Sequence, residues 1–221
     1  MPIRLDERLT AVANLVDYGT VADVGCDHGK LGFYLLGTER ASGVIATDIS
    51  EGSLQKASRL AYDNDLSMQT RLGDGLKPIG DGEVDTVVIA GLGGDAISDI
   101  LAGARADKKK FKHFVLSPNT HPEKVRRELI LQGHTIVFDD VTECSGKRYD
   151  VIKTDVGESA LDELQIAFGA FYAENEKFLK YAKEELAYKQ GILLNHASQE
   201  LEKRVSLLKR AISIAGKNYE N

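Results

Sequence analysis

The 221-residue chain is poor in cysteine, with only Cys26 and Cys144. Two scattered cysteines build neither a disulfide frame nor a zinc site of spaced pairs. No apolar run approaches the roughly 18 residues of a membrane helix, and the N-terminal MPIRLDERL lacks the apolar centre of a signal peptide. A cytoplasmic protein without membrane contact is expected. The histidines, His28, His113, His121, His134 and His196, are scattered, and no H-x₃-H, C-x₂-C or Ser/His/Asp constellation occurs. Metal and triad chemistry are therefore disfavoured, and no metal is expected. Positive charge is also short: 28 Lys and Arg stand against 34 Asp and Glu, a net −6. That balance argues against a whole-surface nucleic-acid binder but permits a local basic face. Four clusters keep that question open: Lys108, Lys109, Lys110 and Lys112; Lys124, Arg126 and Arg127; Lys147 and Arg148; and Lys203, Arg204, Lys209 and Arg210.

A composition of 43% hydrophobic and 28% charged residues is that of a globular chain able to bury one α/β core and carry a small appendage. Apolar runs predict strands near 20–24, 43–48, 68–72, 84–89, 112–117, 134–139 and 149–155. Helix-forming stretches fall near 5–17, 29–36, 50–64, 94–103 and 122–132. The alternation implies βαβ units and a mostly parallel sheet with helices on both faces. The last two strands, joined by TECSGKR without a helix, predict an antiparallel hairpin. Beyond Gly157 the pattern changes. Apolar residues recur at helical spacing, at Leu161, Leu164, Phe168, Phe171, Phe178, Tyr181, Leu186 and Leu194, then as a 4-3-4 stripe at Leu201, Val205, Leu208 and Ile212. Gly169 and 191–195 are the candidate breaks. The expected organisation is a cofactor-binding domain over 1–157 and a helical hairpin or coiled coil over 158–221. The coiled coil is either a stabilising or dimerising tail or an arm that grips substrate.

Residues 21–32 read VADVGCDHGKLG, a strand running through a glycine-bearing turn into a helix, and the next strand ends on Asp48. A dinucleotide turn, G-x-G-x-x-G from Gly25, needs glycine at 27 and 30, where the chain has Asp27 and Lys30. An acidic loop suits a cofactor with a positive centre and an amino-acid tail, as in S-adenosylmethionine. The spacing Asp23–Gly25–Asp27–Gly29 matches the D/E-x-G-x-G-x-G loop of class I methyltransferases except at the middle glycine. An ordinary β-turn-α junction would show the same local pattern.

Walking along the strand ends assembles the rest of the candidate site. Strand one supplies Asp23, Gly25, Cys26, Asp27 and Gly29. Strand two supplies Asp48, whose carboxylate can accept both ribose hydroxyls, with Ile49 beside it. Strand three supplies Asp74 between Gly73 and Gly75, where a carboxylate can accept an adenine amine and the glycines let the ring lie close. Strand four ends in Ala90, Gly91, Leu92, Gly93 and Gly94, a loop of little bulk that lets backbone approach a sulfonium and a flat base slide past. Strand five ends in Pro118 and Asn119, whose amide can meet a base edge. Arg4, Arg8, His28, Lys147 and Tyr149 complete the substrate-side candidates. Asp23, Asp6 and Asn119 are the catalytic candidates.

Taken together, LDERL, DVGCDHG, TDIS, GDGL, IAGLGG, SPN and the C-terminal helices resemble the bacterial tRNA (adenine(22)-N(1))-methyltransferase family over the whole chain. The resemblance implies a Rossmann-like class I methyltransferase sheet of seven strands, S-adenosylmethionine as donor and tRNA as partner, and it favours the substrate-arm reading. Competing readings are a methyltransferase for a small metabolite and a non-catalytic RNA-binding protein on the same fold. A monomer is expected, with a dimer left open.

Overall fold

The computed structural model describes residues 4–219. Met1–Ile3 and Glu220–Asn221, which the expected domain ranges include, lie outside the described residues. The chain divides into two units, Met1–Ala160 and Leu161–Asn221. The first extends three residues past the expected 157 because the chain stays on the sheet there. Gly157 N donates to Gly133 O at 2.9 Å and Ser159 Oγ to His134 O at 3.4 Å.

The first unit holds strands β1 (Thr20–Val24), β2 (Gly43–Asp48), β3 (Gln69–Leu72), β4 (Thr86–Ala90), β5 (His113–Ser117), β6 (His134–Cys144) and β7 (Lys147–Val156). Their order is β3-β2-β1-β4-β5-β7-β6. All neighbours from β3 to β5 pair in parallel, and β7 runs antiparallel to β5 and β6. The β6–β7 ladder is longer than the sequence suggests. TECSGKR is mostly strand, and the reversal is confined to Ser145 and Gly146, at φ 51° and 73°. Positive φ at both central residues matches the strand twist of a tight hairpin.

Helices α1 (Glu7–Leu15), α2 (Lys30–Gly37), α3 (Glu51–Tyr62), α4 (Gly94–Ala106) and α5 (Pro122–Leu131) flank the sheet. Their starts follow from local chemistry. Asp6 caps α1 by accepting from Leu9 N at 2.7 Å, Ser50 caps α3 from Ser53 N, and Pro122 opens α5. Helix α1 packs Val12, Ala13 and Val16 into a core with Val21, Leu35, Val44, Val88, Val115 and Val151. The short α1 thereby lies across the sheet with Arg8 near its start.

In the second unit, α6 (Glu163–Phe168) starts with a capping box from Asp162 and Gln165 and stops at Gly169, φ 121°. A 3-10 turn (Tyr172–Glu174) leads to α7 (Phe178–Leu193) and α8 (Gln199–Tyr219). Val205 and Leu208 of the expected stripe are buried, joined by Leu207, Ala211 and Ala215. The buried face of α8 is wider than a two-helix seam because α6 and the 3-10 turn pack against it too, through Leu164 and Tyr172. Phe171 and Leu194, expected on the apolar faces, are exposed, Leu194 at 86%.

The first unit encloses one ionic cluster that no local sequence pattern reveals. Arg126 on α5, 1% exposed, holds Asp139 through two bonds of 2.7 and 2.8 Å and also bonds Asp150. Burial works against the guanidinium charge, but the two carboxylates raise its pKa above the ordinary value. Removing one partner from such a cluster strands a buried charge, which costs about 3–5 kcal/mol. Asp139→Ala, which leaves Arg126 its bond to Asp150, is thus expected to lower the unfolding free energy by up to that amount, read as a lower urea midpoint. Lys112→Ala, which breaks the exposed pair with Asp85, should leave the midpoint nearly unchanged.

Candidate functional site

Parallel pairing brings the carboxyl ends of β3, β2, β1, β4 and β5 to one edge of the sheet, and a cleft of about 1090 Å³ opens there. Gly25 and Asp27 line it from β1, Asp48 and Ile49 from β2, Gly73, Asp74 and Gly75 from the turn after β3, and Ala90 and Gly91 from β4. Nine of the twelve cofactor candidates therefore share one wall. The first turn is held by Gly25 N and Cys26 N, which both donate to Thr47 O at 2.8 and 3.1 Å. Asp48 accepts from Asp27 N at 3.1 Å and Ser50 N at 2.9 Å, so its carboxylate is fixed between the first turn and the start of α3. Each oxygen retains a lone pair for a diol.

The remaining three cofactor candidates lie behind the wall. Asp23, 5% exposed, accepts from Gly32 N at 3.2 Å. Burial, opposed by that bond and reinforced by Asp48, pushes its pKa up to about 6. Cys26 is buried against Ala46, Leu54 and Ala57, and burial, with Asp23 and Asp48 nearby, pushes its thiol up to about 12. Gly29, at φ 67°, has Ala57 Cβ only 2.6 Å from where its own Cβ would stand, so the residue serves helix packing. Gly73 and Gly75 line the cleft, and packing demands their small size: a Cβ would meet Pro78 at 2.9 Å and Ile100, itself on the cleft, at 2.8 Å.

On the other side, the loops after β4 and β5 are laced together. Gly91 N donates to Ser117 O, Asn119 N to Leu92 O and Gly94 N to Thr120 O, at 3.2, 2.8 and 2.8 Å. Asn119 has both ends of its amide engaged: Nδ2 donates to Gly91 O at 2.5 Å and Oδ1 accepts from Arg8 Nη1 at 3.3 Å. Arg8 in turn lies over the Tyr149 ring, 5.2 Å from its centroid, and lines the cleft. The structure thus unites Arg8, Asn119 and Tyr149, which are far apart in sequence.

It does not bring in the other substrate candidates. Gly94 is buried, with Thr120 O and His121 O inside the space of a Cβ, and Pro118 is buried as well. Gly93 has Thr120 Oγ1 beside it at 3.2 Å. Arg4 lines a separate shallow groove with Asn14 and Tyr34, Lys147 sits exposed at the hairpin turn, and His28 pairs with Lys56 at 3.0 Å. Asp6 is spent on capping α1. Leu92, read in sequence only as part of a loop of little bulk, faces Gly25 with its side chain, and sequence reasoning misses a stripe on α4 formed by Ala96, Ile100 and Gly103. Spacing of four and three along that helix is the available signal.

Five carboxylates line the cleft, Asp27, Asp48, Asp74, Asp99 and Asp107. Arg8 and Lys77 are the basic side chains on it, with Lys77 committed to Asp74 at 2.7 Å. An acidic wall with a fixed carboxylate at the end of β2 fits a cationic nucleoside and opposes a diphosphate. A methyltransferase-domain family profile matches residues 5–152. The tRNA (adenine(22)-N(1))-methyltransferase of Bacillus subtilis is 32% identical over 95% of this chain and 98% of its own length. The chain belongs to the tRNA (adenine(22)-N(1))-methyltransferase family. Solved structures agree. The B. subtilis tRNA methyltransferase TrmK superposes with a TM-score of 0.80 at 28% identity, covering 97% of this chain and 98% of that one. TrmK of M. capricolum, in complex with the cofactor product S-adenosyl-homocysteine, gives 0.85 at 25% identity over 96% and 99%. Among the described residues of this family member, no helix is long and apolar enough to cross a membrane, and no group of three or more His, Cys, Asp or Glu is placed to hold a metal.

The buried Asp23 carries a pH signature. Well below pH 3.8 the group is protonated in folded and unfolded chains alike. Between the unfolded value of 3.8 and the folded value of about 6 the unfolded chain loses the proton first, so the fold loses stability as pH rises. Above pH 6 that loss is level, on the order of 3 kcal/mol. Asp23→Asn, which keeps an acceptor for Gly32 N–H, should melt higher than the parent at pH 8, with the gap closing as pH falls to 4. A gap independent of pH would contradict the assignment.

Proposed function

We propose that this chain transfers the methyl group of S-adenosylmethionine to N1 of an adenine in tRNA, at position 22, and that residues 1–160 form the donor-binding domain. The observation that carries the proposal is the match, over nearly the full length of both chains, to the Bacillus subtilis enzyme of that name. The cleft provides the chemistry such a reaction needs. When bound, S-adenosylmethionine supplies an electrophilic methyl on a sulfonium. Asp48 is the acceptor for the ribose diol, and Asp74 the acceptor at the adenine end. Arg8, at the opposite end beside Gly91, spends its contacts on the Asn119 amide and the Tyr149 ring, and it is the cation available to the donor's carboxylate.

Adenine N1 has an in-plane lone pair, so no proton must leave before attack. The protein's task is alignment and tolerance of the positive product. Asn119 contributes by fixing the Gly91 carbonyl, since both ends of its amide are engaged within the protein. The acidic wall tolerates the cation, without Asp23 or Asp6 touching it. A target base in a folded RNA must leave its stack, at a cost of a few kcal/mol. The reaction belongs to the cytoplasm, where tRNA is available, and involves neither a metal nor a membrane.

The decisive experiment is transfer of labelled methyl to unmodified tRNA, with the modified nucleotide mapped by mass spectrometry. The expected product is N1-methyladenosine at position 22. Asp48→Ala should abolish transfer and donor binding together. Label appearing only in small molecules, or undiminished donor binding in Asp48→Ala, would refute the proposal.

A further inference from the structure

The connection from Gly73 to Asp85 contains no helix or strand, yet it supplies Gly73, Asp74, Gly75, Leu76 and Lys77 to the cleft wall. A segment outside regular structure must find other partners for its backbone groups. Here four successive carbonyls are taken by two cationic side chains. Lys109 Nζ donates to Leu76 O at 2.9 Å, Lys77 O at 3.0 Å and Ile79 O at 2.8 Å, which uses all three ammonium protons. Arg71 Nη1 donates to the intervening Pro78 O at 2.9 Å while its guanidinium pairs with Glu83.

Lys109 reaches the turn because α4 ends in a left-handed residue. Lys108 has φ 57°, Lys108 N donates to Arg105 O and Lys109 N to Ala104 O, and the chain reverses toward 76–79. Lys109 belongs to the basic cluster that sequence alone offers as an RNA-binding face. We infer that Lys109 is a positioning residue for the methyl donor, holding the turn that presents Asp74 and Gly75, and that it is not an RNA phosphate contact. Its neighbour Lys112 is likewise committed, to Asp85 at 2.6 Å. The inference rests on the proposed reading of the cleft as the donor site.

The test separates donor affinity from tRNA affinity. Titration with S-adenosyl-homocysteine should show Lys109→Met weakened about tenfold, the scale of losing charge-assisted bonds. Lys108→Gln, which removes the same charge one residue away, should match the parent. The tRNA KM of Lys109→Met, at saturating donor, should keep the parent's salt dependence, whereas loss of a phosphate contact would flatten the log–log slope by about one. Lys109→Arg keeps the charge, but its planar fork cannot meet three converging carbonyls. Its donor affinity should stay reduced, and its titration decides the matter should Lys109→Met fail to fold. Parent-like donor affinity in either folded variant, or a flattened tRNA slope in Lys109→Met, overturns the inference alone. A parent protein that binds no S-adenosyl-homocysteine overturns the donor reading and this inference with it.

Discussion

Five parallel strands whose carboxyl ends fall level with one another are the constraint on which the site depends. Val24 lies opposite Thr47 and Ile89, Asp48 opposite Leu72, and Ala90 opposite Ser117. Each strand therefore gives up its chain at the same edge, and the turns after β1, β2, β3 and β4 open onto one cleft. Shifting one strand by a residue would turn Asp48 to the other face of the sheet. The hydrogen bonds from Gly25 N and Cys26 N to Thr47 O, and from Asp27 N to Asp48, then tie the first turn to the second. The recognition surface is thus mostly backbone fixed by backbone, with a small number of carboxylates placed upon it.

Charge is distributed to the same end. The cleft is acidic, and several cations that look free in sequence are engaged within the protein. Arg126 is buried between Asp139 and Asp150, Lys124 pairs with Asp95, Lys109 holds carbonyls, and Arg204 pairs with Glu185 at 2.8 Å while lying over Phe168. A basic cluster counted along the chain is therefore a poor guide to a phosphate-binding face. For a chain of net charge −6, RNA attraction depends on which cations lack internal partners, a property that emerges only once the chain is folded.

Much of the sheet was legible because its strands are short apolar runs separated by glycine turns, and the antiparallel end was legible because no helix fits between β6 and β7. The position of Asp48 and Asp74 on the cleft wall was legible from their place at, and just after, strand ends. The burial of Asp23 was not legible: in sequence it is the acid of the loop, but the last residues of β1 alternate sides, and its carboxylate points inward to Gly32 N. The bonds that Asn119 makes to Arg8 and Gly91 could not be read, since those partners are distant in the chain. The roles of Lys109 and Arg126 could not be found at all, because a lysine meeting carbonyls or an arginine meeting buried aspartates leaves no local spacing to read.

The central claim is that one donor occupies the aligned strand ends with its ribose on Asp48. Backbone amide shifts recorded by NMR during titration with S-adenosyl-homocysteine test it most directly. The account predicts large, saturable changes at Gly25, Asp27, Ile49, Gly75 and Gly91, and little at the hairpin turn Ser145–Gly146. Saturable changes that spare those five amides would contradict it.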